Sequence, residues 1–169
     1  MEHWINKWLQ TGIQYERVHV NECILVKCQS MQYLGVILDK KISWIEHISH
    51  VKNKVAKGIG IMYKAIQYLD QKSLVNLHHS YFPLFYLYCI ESWGNAPHCH
   101  LYPLYILQKR VIRIMTFSKF DVSSDYLFRN LNILPLDKLV FHIIGLMMHK
   151  YANGALPPVM SDLYTLNII

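Results

Sequence analysis

Residues 43–69, SWIEHISHVKNKVAKGIGIMYKAIQYL, carry the clearest structural signal in the chain. Apolar side chains recur there every three or four positions, which is the spacing of one face of an α-helix. The members of this stripe are Trp44, Ile48, Val51, Val55, Ile59, Met62, Ile66 and Leu69. The segment therefore predicts one long helix with a single buried side. Gly58 and Gly60 lower helix propensity within it, which indicates close packing against a neighbouring helix.

A second stripe of the same helix is basic and lies roughly 120° around the helical wheel from the apolar one. It consists of His47, His50, Lys54, Lys57 and Lys64. Lys40 and Lys41 stand just before the helix, and a second basic cluster follows at Lys109, Arg110 and Arg113. Phosphate contacts along a groove are geometrically possible with this arrangement. A solvated helix face is an equally good interpretation of the charges alone.

The segments on either side of this helix have different patterns. Residues 18–20 alternate, residues 23–26 return after a plausible turn, and a further β-rich run covers residues 33–38. Helical patterns later in the chain cover residues 71–93 with a break or kink near Pro83, then residues 101–115, 126–131 and 136–151. The expected fold is α+β and mostly α. A short helix and a β-hairpin region are expected in residues 1–42, followed by a helical bundle in residues 43–169.

Composition restricts the class of protein. The 169 residues are 53% hydrophobic and 17% charged, which excludes a disordered tail and favours a domain with much of its surface covered. The net charge of +6 and the pI near 9.1 favour a nucleic-acid partner. Residues 73–90 carry no charged side chain, but polar residues interrupt them, so a buried helix is expected and no membrane association. Four cysteines without C-x-x-C spacing and no secretory signal predict an intracellular protein with reduced thiols.

Catalytic chemistry is not predicted from these residues. The six aspartates are scattered and never adjacent, and no phosphate-binding glycine loop or nucleophile motif occurs. Cys89, His98, Cys99 and His100 have the character of zinc ligands, but three of them are consecutive and the paired spacing of zinc sites is missing. We therefore expect no catalytic residue and no metal site.

Five short segments follow one another in a defined order. The first is YLGVILDKKISW at residues 33–44, continued by His47 and Ile48. The others are ESWGNA at residues 91–96, LQKRVIRI at 107–114, LFRNLNIL at 127–134 and NGALP at 153–157. In this order they resemble the region just after the palm core in reverse transcriptases of non-LTR (LINE-type, jockey-like) retrotransposons. The resemblance covers about residues 17–160 and implies a thumb-like fold.

The resemblance implies a fragment of an RNA-directed DNA polymerase. In that family, polymerisation depends on palm aspartates that hold Mg²⁺, one pair of them in a Phe/Tyr-Ala-Asp-Asp turn, whereas this sequence contains no Asp-Asp dipeptide. We therefore expect a chain that lacks the catalytic palm, holds no cofactor of its own and is inactive alone. The expected partners are an RNA/DNA template–primer and a palm-containing polypeptide. The alternative is an inert or protein-interaction helical domain derived from a retroelement.

The resemblance also suggests which residues bind. Tyr33, Leu34 and Gly35 match the primer-grip hairpin of the family, where a glycine allows close backbone approach. The residues expected to face the template–primer backbone are Lys40, Lys41, Lys54, Lys57 and Lys64. Lys109, Arg110 and Arg113 match the Gln-Lys-Arg landmark of the family, and either contact nucleic acid or form structural salt bridges within the bundle.

Overall fold

The computed structural model describes residues 17–20, 23–26 and 28–157, with side chains described from residue 28 onward. These residues form two compact units, one ending at Ser43 and the other beginning at Trp44. Within the described residues, the first unit contains two β-hairpins and the second contains seven helices. The expected class, α+β and mostly α, is confirmed. The short helix expected within residues 1–16 lies outside the described residues.

The first hairpin is the one that the alternating sequence pattern predicts. Strands β1 (Arg17–Val20) and β2 (Cys23–Val26) pair antiparallel, with Arg17 opposite Val26 and Val20 opposite Cys23. Two residues separate the strands, which is the shortest common connection between antiparallel neighbours.

The second hairpin divides a run that the sequence suggests is continuous. Strands β3 (Ser30–Tyr33) and β4 (Val36–Asp39) pair antiparallel, so the β-rich run over residues 33–38 reverses direction within itself. Leu34 and Gly35 both have positive φ, 45° and 85°, as two-residue turns of the I′ kind require. Gly35 adopts such an angle without a steric penalty, and this is the local reason for the reversal.

Helix α1 (Ile45–Ala65) is the long helix expected from the apolar spacing, although it is shorter than the expected residues 43–69. Five members of the predicted stripe are buried in it: Ile48, Val51, Val55, Ile59 and Met62. Trp44 caps the helix in a left-handed conformation with φ 64°. The chain leaves the helix after Ile66, whose N–H still bonds to the Met62 carbonyl.

The helix expected over residues 71–93 is divided into three pieces. These are α2 (Gln71–Tyr81), α3 (Pro83–Leu87) and α4 (Ile90–Trp93). Pro83 has no N–H to continue α2 and therefore begins a new helix. Cys89 separates α3 from α4 by its left-handed φ of 52°. No described helix has both the length and the apolarity that crossing a bilayer requires.

The last three helices follow the predicted segments closely. They are α5 (His98–Met115), α6 (Ser124–Asn130) and α7 (Leu136–Ala152). Helices α1 and α5 form the main helix–helix contact of this unit. The core contains large side chains from most of the helices, among them Met62, Phe82, Trp93, Leu104 and Phe128.

One of the two glycines of α1 marks a close helix approach. A Cβ atom added at Gly58 would lie 2.6 Å from Cε1 of Tyr81 and 3.1 Å from the Phe82 ring, at the end of α2. Gly60 has no such neighbour within 4 Å. The expected close packing therefore applies to Gly58 and not to Gly60.

Candidate nucleic-acid interface

The three residues expected at a primer-grip hairpin form the tip of the β3–β4 hairpin. Tyr33 ends β3, and Leu34 and Gly35 form the turn. The Tyr33 and Leu34 side chains are both exposed. The tip therefore presents an aromatic ring, an apolar side chain and a stretch of backbone without a Cβ at Gly35.

The end of this hairpin is held by Asp39. Its carboxylate accepts hydrogen bonds from the backbone N–H of Lys41 at 2.9 Å and from the N–H and hydroxyl of Ser43 at 2.9 and 3.0 Å. The Lys40 N–H donates to the Gln29 carbonyl at 2.8 Å, which extends the hairpin ladder by one pair. The Lys40 and Lys41 side chains are exposed, so both ammonium groups are available to an anion.

Three exposed lysines of α1 lie outside its buried stripe. Lys54, Lys57 and Lys64 are all exposed. At about 100° per residue, Lys57 and Lys64 lie within about 20° of each other on the helical wheel. The Lys54 ammonium lies 5.8 Å from the centre of the Phe85 ring, which places Lys54 at the side of α1 that faces α3. We call Lys54, Lys57 and Lys64 the lysine face.

His47, expected in the basic stripe, is not part of this surface. It is buried, and its ring packs edge-on against Trp93 with centroids 5.6 Å apart. Burial, followed by the charges of His50 and Lys54, lowers the pKa of His47. The position of His47 on the wheel, between the apolar and basic stripes, is why the sequence pattern alone misplaces it.

The second basic cluster lies on a groove between the ends of α1 and α5. The Arg110 guanidinium lies over the Tyr63 ring at 5.3 Å from its centre, and Arg110 Nε–H donates to the Tyr63 hydroxyl at 3.2 Å. The Lys109 ammonium lies 4.2 Å from the centre of the Tyr105 ring. Both cations are thus positioned over aromatic rings, an arrangement that holds a charged group in place without neutralising it.

The loop after α5 completes this groove. Arg113 lies over the Phe120 ring at 4.9 Å from its centre and donates from Nη2 to the Val122 carbonyl at 3.4 Å. Phe117 takes a left-handed φ of 51° just after the helix, and the Ser118 N–H bonds back to the Arg113 carbonyl at 3.1 Å. This return of the backbone directs the loop carrying Phe120 towards Arg113.

The groove has a volume of about 880 Å³. We call it the aromatic–cation groove, and its lining residues are Tyr63, Ile66, Ile106, Lys109, Arg110, Arg113, Ile114, Phe117, Ser118 and Phe120. None of these ten residues is acidic, so its cations are not paired with carboxylates from the lining itself.

Within the helical unit, the expected basic residues therefore fall on two separate surfaces. Lys109, Arg110 and Arg113 are brought together at the aromatic–cation groove. Lys54, Lys57 and Lys64 form the lysine face on another side of α1, because Tyr63, the α1 side chain in the groove, lies about 100° around the helix from Lys64. Lys40 and Lys41 belong to the hairpin unit.

Sequence reasoning missed the aromatic half of the groove and one buried amide. Tyr63 is distant in sequence from Phe117 and Phe120, and only the packing of α1 on α5 brings it close to them. Gln108, part of the quoted Gln-Lys-Arg landmark, is 2% exposed and points inward, towards the start of α7. A glutamine on the apolar side of a helix was the available signal for that inward role.

Metal binding has no geometric basis in the part of the chain that the structure describes. No three His, Cys, Asp or Glu side chains among those residues are grouped closely enough to hold an ion. Cys89 lies in the break between α3 and α4, and His98, Cys99 and His100 form the first turn of α5. Two carboxylates stabilise local structure. Asp39, at the end of β4, accepts hydrogen bonds from Ser43, and Asp70, which caps α2, accepts one from the Ser73 N–H at 3.1 Å.

The chain is similar to polymerases encoded by mobile elements of Drosophila melanogaster. It is 26% identical over 126 residues, 72% of the chain, to the RNA-directed DNA polymerase from mobile element jockey. It is 23% identical over 119 residues, 69% of the chain, to the probable RNA-directed DNA polymerase from transposon X-element. It is 25% identical over 130 residues, 73% of the chain, to the corresponding probable polymerase from transposon BS.

These matches confirm the resemblance to reverse transcriptases of jockey-like non-LTR retrotransposons. The matched residues make up 13–14% of the length of each relative, so the chain spans a small part of those polymerases. No protein-family model matches the chain. No solved structure matches it either.

Proposed function

We propose that this chain, related to retrotransposon RNA-directed DNA polymerases, acts as a thumb-like region that holds the backbone of an RNA/DNA template–primer. The observation that carries the proposal is the lysine face on the longest helix, where Lys57 and Lys64 lie opposite the buried stripe and Lys54 lies beside it. The exposed lysines can reach phosphates there without disturbing the core. The relatives support the class of ligand, since their names describe polymerases that copy RNA into DNA.

The spacing of the lysine face suits a charged polymer better than a single anion. Lys57 and Lys64 are seven residues apart, which is about 10.5 Å along the helix axis at 1.5 Å per residue. Two lysines extended outward at this spacing match successive phosphates of a strand, whereas a single small anion would require both side chains to bend towards each other. Each lysine–phosphate contact releases a condensed counterion, so binding should weaken steeply as salt is added.

The β3–β4 hairpin has a separate part in the proposal. Its exposed tip, Tyr33-Leu34-Gly35, would support the end of the primer strand, with Gly35 allowing the backbone close to the nucleic acid. Lys40 and Lys41, exposed at the other end of the hairpin, would contact the adjoining phosphates. The contribution of this chain is therefore positioning and electrostatic attraction rather than chemistry.

Catalysis in this proposal comes from a palm-containing polypeptide. The described residues provide no group of ligands for Mg²⁺, so the metal-bound aspartates that polymerisation needs would have to come from that polypeptide. Among the residues that the structure describes, we accordingly propose no catalytic residue and no cofactor ligand.

The test is binding of a fluorescently labelled RNA/DNA primer–template to the purified chain, followed by anisotropy over a range of salt concentrations. The variant Lys54→Ala/Lys57→Ala/Lys64→Ala should lose roughly tenfold or more in affinity at moderate salt. Its plot of log affinity against log salt should be shallower by about two to three, since each lost phosphate contact lowers the slope by about 0.9.

A matched control removes the same charge from other surfaces. Lys72, Lys138 and Lys150 are also exposed, and they lie on α2 and α7. Their triple alanine variant should keep most of the affinity and the slope. Equal losses in both triple variants would mean that binding reflects net charge alone, and absence of binding by the folded wild-type chain would contradict the proposal.

A second candidate function is supported by the exposed side of α7. Phe141 is 82% exposed, and Met148, two turns later on the same face, is also exposed, whereas Leu146 is exposed on another side of the helix. Exposed apolar side chains that share one helix face are typical of an interaction surface. A protein-interaction domain is therefore the alternative, and it predicts association that is insensitive to salt and is lost in Phe141→Ser.

A further inference from the structure

We infer that the aromatic–cation groove is a second nucleic-acid site, which takes unpaired nucleotides. Bases of the strand would stack on Phe120 and on Phe117, and a phosphate would be held by Lys109 and Arg110. The inference rests on the proposed function for the class of ligand, but it depends on a different set of residues from the lysine face.

The aromatic side chains of the groove are unusually exposed. Phe120 is 88% exposed even though Arg113 lies over its ring, and Phe117 is 55% exposed. Both belong to the loop between α5 and α6, where neither ring is needed to fill the core. Flat apolar rings held open in this way offer the surface on which nucleic-acid bases stack, whatever the base identity.

The cations of the groove are held in place before any ligand arrives. Arg110 is fixed by its stacking on Tyr63 and by its hydrogen bond to the Tyr63 hydroxyl. Arg113 is fixed by Phe120 and the Val122 carbonyl, and its Nε donor is buried without an acceptor among the described residues. Prior positioning of this kind reduces the entropy lost when an anion binds.

The combination of exposed aromatic rings and fixed cations favours unpaired nucleotides over a duplex. In a duplex the base faces are stacked on one another, so the rings of Phe117 and Phe120 would find no free partner. In a single strand the faces are free and the phosphates follow at regular intervals. The groove volume of about 880 Å³ falls in the range of sites that enclose small molecules, about 300–1,000 Å³.

The test uses the full 169-residue chain and a short single-stranded oligonucleotide that carries 2-aminopurine, whose fluorescence falls when the base stacks. Phe120→Ala and Phe117→Ala should each weaken single-strand binding roughly tenfold and reduce the quenching, in line with the loss of one base–aromatic stack. Phe120→Trp should keep both the single-strand affinity and the quenching. Phe141→Ala, which removes an equally exposed ring from α7, should change neither.

The same variants distinguish this inference from the proposed function. Phe120→Ala should leave binding of the paired primer–template within about twofold of wild type, because duplex binding depends on the lysine face. Normal duplex binding together with unchanged single-strand affinity in Phe117→Ala and Phe120→Ala would overturn the inference alone. Failure of the wild-type chain to bind either ligand would overturn both.

An acidic peptide is the other polymer that the three cations could attract. Polyglutamate should compete poorly against the single-stranded oligonucleotide, since it offers charge without stacking. If polyglutamate competes as well as the oligonucleotide at equal charge, the groove recognises negative charge only, and the inference is wrong.

Discussion

The Gln108 side chain acts as the N-terminal cap of a helix that begins 28 residues later. Its Oε1 accepts a hydrogen bond from the Leu136 N–H at 2.8 Å, and its Nε2 donates to the Leu134 carbonyl at 2.9 Å. The residue at the cap position of α7 is Pro135, which has no side-chain acceptor for the first N–H groups of that helix. One buried amide on α5 therefore satisfies two backbone groups at the start of α7.

Replacing Gln108 with leucine should lower the free energy of unfolding by about 2–4 kcal/mol. The leucine keeps the volume of the side chain but leaves the Leu136 N–H and the Leu134 carbonyl without partners, and each such group costs about 1–3 kcal/mol. Urea denaturation monitored by circular dichroism measures the change. Gln67→Leu, at an exposed position after α1, is the control and should change stability by less than about 0.5 kcal/mol.

Alanine should have opposite effects at the two glycines of α1. Gly58→Ala should destabilise the chain by about 1–3 kcal/mol, because its Cβ would collide with the Tyr81 and Phe82 rings. Gly60→Ala should stabilise it by about 0.5–1 kcal/mol, since the site is open and alanine favours helix. The midpoints of thermal unfolding of both variants, compared with wild type, test the two predictions. Equal shifts in the same direction would contradict the close approach of α1 and α2.

Acid should destabilise the helical unit through His78. Its ring is 3% exposed and stacks on Phe82, and both ring nitrogens lack hydrogen-bond partners among the described residues. Burial, with a smaller contribution from His79, lowers the pKa of His78 from 6.5 to about 4. Between these two values the unfolded chain binds more protons than the folded one, so stability falls as the pH falls from about 6.5 to about 4.

The loss attributable to His78 over that range should be about 3 kcal/mol, since one pKa unit corresponds to about 1.4 kcal/mol. Urea denaturation of wild type and His78→Leu at several pH values between 7 and 4.5 measures this contribution of His78 to the free energy of unfolding. The pKa of His47 is also lowered, but His47 is present in both proteins, so the difference between the two curves reports His78. Parallel curves would show that His78 does not titrate in this way.

Phe117→Gly should make the chain more stable and a poorer binder of single strands. Phe117 occupies a left-handed position just after α5, where glycine is the usual residue. Relief of that conformation should add about 1 kcal/mol to the free energy of unfolding, and the half-exposed ring contributes little burial that would be lost. Denaturation and anisotropy on the same preparation test both parts. A variant that is less stable would show that the ring is structural.

Much of the fold could be predicted because it depends on local periodicity. The stripe from Ile48 to Met62 predicts α1, and the helical patterns of residues 101–115 and 136–151 predict α5 and α7. The turn at Leu34-Gly35 and the break at Cys89 are harder to predict, since the first depends on two residues and the second on one residue with positive φ inside an apolar run.

Only the charged residues of the candidate site could be predicted from the sequence. Lys109, Arg110 and Arg113 are adjacent enough on one helix to form a visible cluster. Tyr63 reaches them through the packing of α1 on α5, and Phe120 reaches Arg113 through the turn at Phe117. Contacts between distant segments leave no periodic trace in the sequence, so the aromatic half of the groove was not predicted.

The pairing of α1 with α5 also has a consequence for synthesis of the chain on the ribosome. Arg110 follows its partner Tyr63 by 47 residues, so the apolar side of α1 leaves the exit tunnel well before its main partner helix. At about 5–20 residues per second, that interval is about 2–9 s. During this time the apolar residues of α1 that pack on α5 have no partner from that helix, and an uncovered apolar stripe is the kind of segment that chaperones hold.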